Sequence, residues 1–343
     1  MAKNGNNTRN PAAPLFKRLT RMLSGPIVNY RTQVARQEKR ADLDKYRYRF
    51  RSMSGQEFKR HDSNMSQNFN LFTSAAFRNQ NRAERYIDFE QMEYMPEIAS
   101  ALDIYADEMT TSNEYDRLLN IDCLNHEIKT ILESLFYDVL NVEFNCFGWA
   151  RSMCKYGDFF LYMDIDEKTG ITSVIGMPNN EVERLEGQDQ TNPNYVQYQW
   201  NGAGMTFENW QVAHFRILGN DRYNPYGTSV LDPARRIWRQ LTLLEDAMMA
   251  SLNDIEDVKY LRDKLFAAIK IPQAYLTNLE GAAEDKTTLA QKDIRFARTI
   301  HRLQRSLVSE LEKMAIVHLY TLGFRGQDLL GFKITLNNPS RLA

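Results

Sequence analysis

An α+β fold is predicted for this chain of 343 residues, and three observations predict it. Apolar residues recur at helical spacing in the segments before and after the middle of the chain, and residues 157–218 between them carry short strand-like runs separated by glycine turns. No run approaches the roughly 18 apolar residues of a membrane span. The composition is that of a folded protein: 43% hydrophobic and 25% charged, with 16 Gly and 10 Pro, which excludes collagenous and wholly disordered chains. The length exceeds what one minimal core requires, so two or three packed units are expected.

The elements follow in order. Ile98, Leu102, Tyr105 and Met109 recur at spacings of four, three and four, with Pro96 in the first turn, which predicts a helix. Residues 125–145, with Leu132, Leu135, Phe136, Val139 and Leu140, predict a second amphipathic helix. Residues 159–166 and 171–175, joined by a Glu-Lys-Thr-Gly turn, read as a hairpin. Residues 195–200, 205–207 and 212–218 add further strands with glycine turns. Asp232-Pro233 opens a helix as cap and first-turn proline, and Leu231, Ala234, Trp238, Leu241, Leu244 and Met248 form its apolar side. Asn253 with Glu256 three residues later marks a fresh helix start, continued by Ile255, Val258, Leu261, Leu265 and Ile269 to a stop at Pro272. A polar loop over 280–288 precedes a long helix over 292–322, with Ile300, Leu303, Leu307, Leu311, Met314 and Val317 on its apolar side. A terminal strand closes the chain.

The formal net charge of −1 is a cancellation. Residues 1–60 hold fifteen Lys/Arg against four acids, a net +11, and residues 88–129 hold eleven acids against Arg117 and Lys129, a net −9. The basic arm, with Lys17, Arg18, Arg21, Arg36, Lys39 and Arg40, interleaves Tyr46, Tyr48 and Phe50, a pattern suited to nucleic acid or an acidic partner surface as well as to a solvated terminus. Arg295, Arg298, Arg302 and Arg305 fall on one stripe of the long helix, able to face phosphates, acids of a neighbouring chain, or solvent. Arg235, Arg236 and Arg239 line the far side of the helix over 232–249.

Familiar catalytic constellations do not occur. There is no P-loop; Gly202-Ala-Gly204 lacks the third glycine of a dinucleotide loop; His126-Glu127 is not followed by His at 130; and Asp164-Ile-Asp166 lacks the spacing of a calcium loop. The five His are scattered, and His214, between apolar strand residues, reads as a packed polar side chain. Cys123, Cys146 and Cys154 form neither a disulfide framework nor a zinc motif, and the N-terminus has no apolar signal core, so a cytosolic, reducing setting with no cofactor is expected. An assembly or conduit role leads. The rival readings are a metal-dependent nuclease built on Asp88, Glu90 and Glu93, and a basic-armed internal scaffold protein.

Several runs together resemble the portal (head–tail connector) proteins of T-even-like contractile-tailed bacteriophages. They are Tyr94–Glu108, Asn224–Leu241, Leu244–Met249, Asn253-Asp-Ile-Glu-Asp-Val-Lys-Tyr and on to Leu265, and Glu284-Asp-Lys-Thr-Thr-Leu with the helix after it. They stand in the family's order over roughly residues 85–338. The resemblance implies a ring of twelve subunits at one capsid vertex, through which double-stranded DNA passes without sequence preference during packaging and ejection. It implies as partners the major capsid protein, the terminase motor and neck or tail adaptors, and a location in the virion after assembly in the host cytoplasm.

Its regions map as a basic arm (1–85), a wing (86–230), stem helices (231–270), a tunnel-loop region (271–292) and a wing or crown-side helix with a terminal strand (293–343). Glu284, Asp285, Lys286, Thr287 and Lys292 are the tunnel-loop candidates. A channel lining of mixed charge lets DNA slide, with Lys286 and Lys292 meeting phosphates transiently. The arginines 235, 236, 239, 295, 298, 302 and 305 and the acids Asp103, Asp107 and Glu108 are subunit-interface candidates, and the basic arm is a candidate for capsid or neighbouring subunits. The departure lies at Met249-Ala-Ser251, where the family inserts a clip and here the flanks join directly. The chain also ends short of the family's crown portion. Either the sequence is part of a longer protein with the clip left out and its flanks closed up at 250/251, or the clip is absent.

Overall fold

The computed structural model describes residues 82–113, 115, 117–186, 195–219, 223–248, 255–271 and 286–339, with backbone alone for 245–248, 255–257 and 286–293. The basic arm, the Asn253 cap, Glu284 and Asp285 lie outside these residues.

Helix α1 spans residues 82–93 and buries Tyr86, Phe89 and Met92, one per turn. A bend at Tyr94 and Met95 leads into α2 (Pro96–Met109), where proline at N1 loses no helical hydrogen bond. Its predicted stripe is the buried face, joined by Ala101 and Ala106.

The helix predicted over 125–145 is not continuous. After strand β1 (Leu119–Cys123), α3 (His126–Glu133) starts at Asn125, whose side chain accepts the Glu127 N–H at 3.0 Å. The chain then widens into a π-helical segment, Ser134–Val139, and breaks at Asn141, with φ 42°. A π turn inserts a residue and shifts the phase of the apolar face, so Leu135, Phe136 and Leu140 are buried while Val139 emerges to 37% exposure. Asn tolerates the left-handed region at the break. Helix α4 (Val142–Tyr156), which the sequence reading did not separate, packs Cys146, Ala150 and Met153 into the core beside α2.

The β block is as predicted, with one strand added. Strands β2 (Asp158–Asp166), β3 (Gly170–Met177) and β7 (Val212–Arg216) form one antiparallel sheet in the order β3-β2-β7. Strands β4 (Val182–Glu186), β5 (Val196–Trp200) and β6 (Met205–Glu208) form another. A small core of Phe160, Met177, Val182, Tyr198, Phe207 and Val212 joins them. At the head of β2, Gly157 has φ 85°, and a Cβ there would sit 2.6 Å from the Ser229 nitrogen. A Cβ on Gly227 would lie 2.0 Å from the Gly157 carbonyl oxygen, so two bare backbones meet where no side chain fits.

A 3-10 turn (Asp232–Ala234) leads into α5 (Arg235–Met248), and α6 (Ile255–Ile269) packs against it. The 36-residue α7 (Lys286–Thr321) begins six residues before the predicted start, at the Lys-Thr-Thr run whose β-branched residues weaken the helical signal. At 1.5 Å per residue α7 is about 54 Å long. Its predicted stripe is buried, and its C-terminal stretch is buried on nearly all sides. Strand β8 (Phe332–Leu336), the expected terminal strand, pairs antiparallel with β1, tying the end of the described chain to the segment between α2 and α3.

Candidate assembly surfaces and the polar core

The sequence singled out acids on α1 and arginines on α5, and the fold brings two of these groups together. Asp88, 6% exposed, accepts from Arg235 Nε at 2.9 Å and from Arg239 Nη2 at 2.7 Å; Arg239 also reaches Glu84 at 3.1 Å. Burial pushes the Asp88 carboxyl up, but hydrogen bonds from Arg239 and Arg235 outweigh it and hold it below the usual range. Arg236 stays exposed. Arg235 and Arg239 therefore join α1 to α5 within the chain.

Glu93 holds Arg151 and lies 2.5 Å from Lys155, while Arg151 Nε reaches Asp103 at 2.6 Å. Glu90 accepts from the Tyr156 hydroxyl at 3.2 Å. At 100° per residue Asp88 points away from Glu90 and Glu93, which share one groove with Lys155 and Tyr156, so the three acids of the nuclease reading do not converge on one site. Among the described residues, no group of three or more His, Cys, Asp or Glu is placed to hold a metal ion, and no helix is long and apolar enough to cross a membrane.

Two candidate sets face outward. Arg295, Arg298, Arg302 and Arg305 are all exposed on α7, opposite Ile300, Leu303 and Leu307. Across the molecule's surface, Asp107 is exposed on α2, with Asp103 and Glu108 half-exposed beside it. Partial burial, then the charges of Asp103 and Glu108, raise the Asp107 carboxyl. Of the tunnel-loop candidates, Lys286, Thr287 and Lys292 lie in the first two turns of α7.

A buried polar network underlies these surfaces, and only His214 of it was foreseen, as a packed residue. Asp158, fully buried, accepts from His214 Nε2 at 2.7 Å, the Gly227 N–H at 2.8 Å and the Tyr86 hydroxyl at 3.3 Å. His214 Nδ1 faces Arg184 Nη1 at 3.1 Å. Burial, with the charges of Arg184 and Arg216, drives the imidazole pKa down to about 3 against the pull of Asp158. The ring is neutral, and the tautomer with the proton on Nε2 satisfies both neighbours. The Glu310 carboxylate of α7 accepts the His214 N–H at 3.1 Å, and Lys313 donates to the Val212 carbonyl at 2.7 Å. A His–Asp pair resembles a general base with its orienting acid, but this one is sealed from solvent and its hydrogen-bonding positions are filled. It fastens α1, both sheets and α7 to one another. The signal for it, an Asp opening one strand diagonal to a His in another, needs the β2–β7 register to be read, in which Asp158 pairs with Arg216 and Phe160 with His214.

The remaining reactive groups are quiet. Burial pushes the Cys146 and Cys154 thiols up to about 12. His318, held down to about 4 by burial, accepts the Ile171 N–H at 3.0 Å beneath the β2–β3 turn. The surface has open polar grooves, one of about 480 Å³ lined by Arg117, Glu133, Tyr137, Asp138 and Glu143.

The family model described as Bacteriophage T4-like portal protein (Gp20) matches residues 82–251 and 249–328. Its two segments meet at the Met249–Ser251 join. Among solved structures, chains from "Neck of native GTA particle computed with C12 symmetry" and "Virion of native gene transfer agent (GTA) particle" are similar at 10% identity, covering 69% of this chain and 79% of each of theirs, with a TM-score of 0.47. No curated protein matches.

Proposed function

The chain belongs to the bacteriophage T4-like portal protein family, and on that premise we propose that it is a structural, non-catalytic subunit of a portal ring. Twelve copies close a ring at the unique capsid vertex, and double-stranded DNA moves through its axis during packaging and ejection. The family match, running through nearly all the described residues, is the observation that carries this reading.

The arrangement of charge supports it. Asp88 and Glu93 of α1 are neutralised by arginines of the same chain, which suits a structural role more than a metal site. A heterologous ring needs two different complementary faces on one chain, and α7 and α2 carry opposite charge outward. The start of α7, with Lys286, Thr287 and Lys292, stands at the channel after the tunnel loop that holds Glu284 and Asp285. Sparse, mixed charge there lets DNA slide. The basic arm, through Lys17, Arg18, Arg21, Arg36, Lys39 and Arg40, binds capsid protein or adjacent subunits. The packaging motor and neck proteins are its further partners.

Negative-stain class averages of the purified chain test the reading. Rings with a stain-filled centre are expected, and compact particles without a hole at every protein concentration tried would contradict it.

A further inference from the structure

The ring reading leaves open which surfaces meet, and two rows of side chains answer to one another. On α7, Arg295, Arg298, Arg302 and Arg305 occupy an arc opposite the buried side, about 15 Å from end to end. None of the four has an ion pair or side-chain hydrogen bond with another described residue. Five arginines elsewhere differ: Arg117, Arg151, Arg184, Arg235 and Arg239 are paired with acids within the chain.

On α2, Asp107 and Asp103 stand opposite the buried Ile98, Leu102 and Tyr105, Asp103 also holding Arg151 of its own chain, while half-exposed Glu97 and Glu108 border the buried face. Glu97 and Asp107 stand ten residues apart, again about 15 Å. Neither carboxylate has a partner among the described residues. Helices α2 and α7 pack against each other through Tyr105 and Phe296, whose rings lie 5.6 Å apart, yet no arginine of the row pairs with an acid of the row. Both rows face away from their shared contact.

We propose, building on the ring reading, that the α7 arginine row of one subunit docks on the α2 acidic row of a second copy of the same chain. Equal length and opposite sign make the rows complementary, and their places on different faces of one chain fit a head-to-tail contact that closes. Each exposed pair contributes little alone, but a row of them fixes register and speeds association. A second copy suits the arginines better than DNA, because a fixed line of phosphate contacts would hold DNA that must slide.

Charge reversal in the full chain, followed by mass photometry at low and moderate salt, tests this. Arg298→Glu with Arg302→Glu, and separately Glu97→Arg with Asp107→Arg, are each expected to raise the concentration for half-assembly at least tenfold. The two variants mixed are expected to recover rings, because alternating subunits then meet with opposite charges at every contact. Combining all four substitutions in one chain recovers rings for the same reason. Variant rings that assemble like wild type, or losses that mixing does not repair, would overturn the proposal while leaving the ring reading intact. Unchanged rings with weakened DNA retention would overturn it in favour of phosphate contacts. A wild-type chain that forms no ring under any condition would instead defeat the reading on which the proposal rests.

Discussion

Replacing Asp158 by alanine removes the acceptor shared by three buried donors: His214 Nε2–H at 2.7 Å, the Gly227 N–H at 2.8 Å and the Tyr86 hydroxyl at 3.3 Å. All three lie at the junction of α1, β2, β7 and the 225–228 segment, where Asp158 itself is 0% exposed. A buried donor left unpaired costs about 1–3 kcal/mol. Three of them sum to roughly 3–9 kcal/mol, and water entering the vacated space returns part of that. The substitution also deprives half-buried Arg216 of a negative charge close by. A loss of roughly 4–6 kcal/mol is expected, much of the 5–15 kcal/mol that typically holds a domain folded. Equilibrium urea unfolding reads it through Trp149, which packs against Phe159 and Phe215 at centroid distances of 6.5 and 6.2 Å. Asp158→Asn keeps an acceptor and is expected to lose about half as much. Asp166→Ala, at the exposed hairpin tip, is expected to move the midpoint far less, because the bonds Asp166 accepts come from its own solvated turn, Lys168 and Thr169 among them. If the alanine variant at 158 loses less than about 1 kcal/mol, the network does not hold the elements together as argued.

Acid should loosen the fold well above the ordinary carboxylate range. His214 and His318 are held neutral, with pKa values of about 3 and about 4, so protons favour the unfolded chain as pH falls below its histidine value near 6.5. Full stability is present above about pH 6.5, and each imidazole should subtract roughly 2 kcal/mol by pH 5. Urea midpoints that coincide at pH 7 and pH 5 would contradict this. Gly227→Ala is expected to cost about 3 kcal/mol or more, since its methyl would occupy the space 2.0 Å from the Gly157 oxygen. A variant with a wild-type melting temperature would show that the two backbones part easily.

Much of this fold is legible in the sequence, where a repeating period carries the information. The apolar stripes of α2, α5, α6 and the first part of α7 announce themselves because one side of each is buried and the other faces out. The hairpin of β2 and β3 shows through its turn residues. Helix α4 is hidden because a π turn at 134–139 resets the phase and Asn141 breaks the chain without glycine or proline. Strand β1 is missed because its partner β8 lies more than two hundred residues away. Strand β4 offers only Val182 and Leu185 as apolar residues, so its hydrogen-bonded pairing to β5 defines it. The surfaces divide in the same manner. The arginine row of α7 is visible from its spacing alone, whereas the engagement of Arg235 and Arg239 by Asp88 depends on α1 lying against α5. Charge counted by region shows what must be neutralised but not by whom.

The central claim, that this chain is a portal subunit whose ring encloses a DNA channel, is tested most directly by a symmetry-resolved cryo-electron microscopy map of the assembled chain. The account predicts a closed ring of twelve in which the start of α7, at Lys286–Lys292, is the described segment nearest the axis. An open or helical assembly, or a ring with that end of α7 on its outer rim, would contradict it.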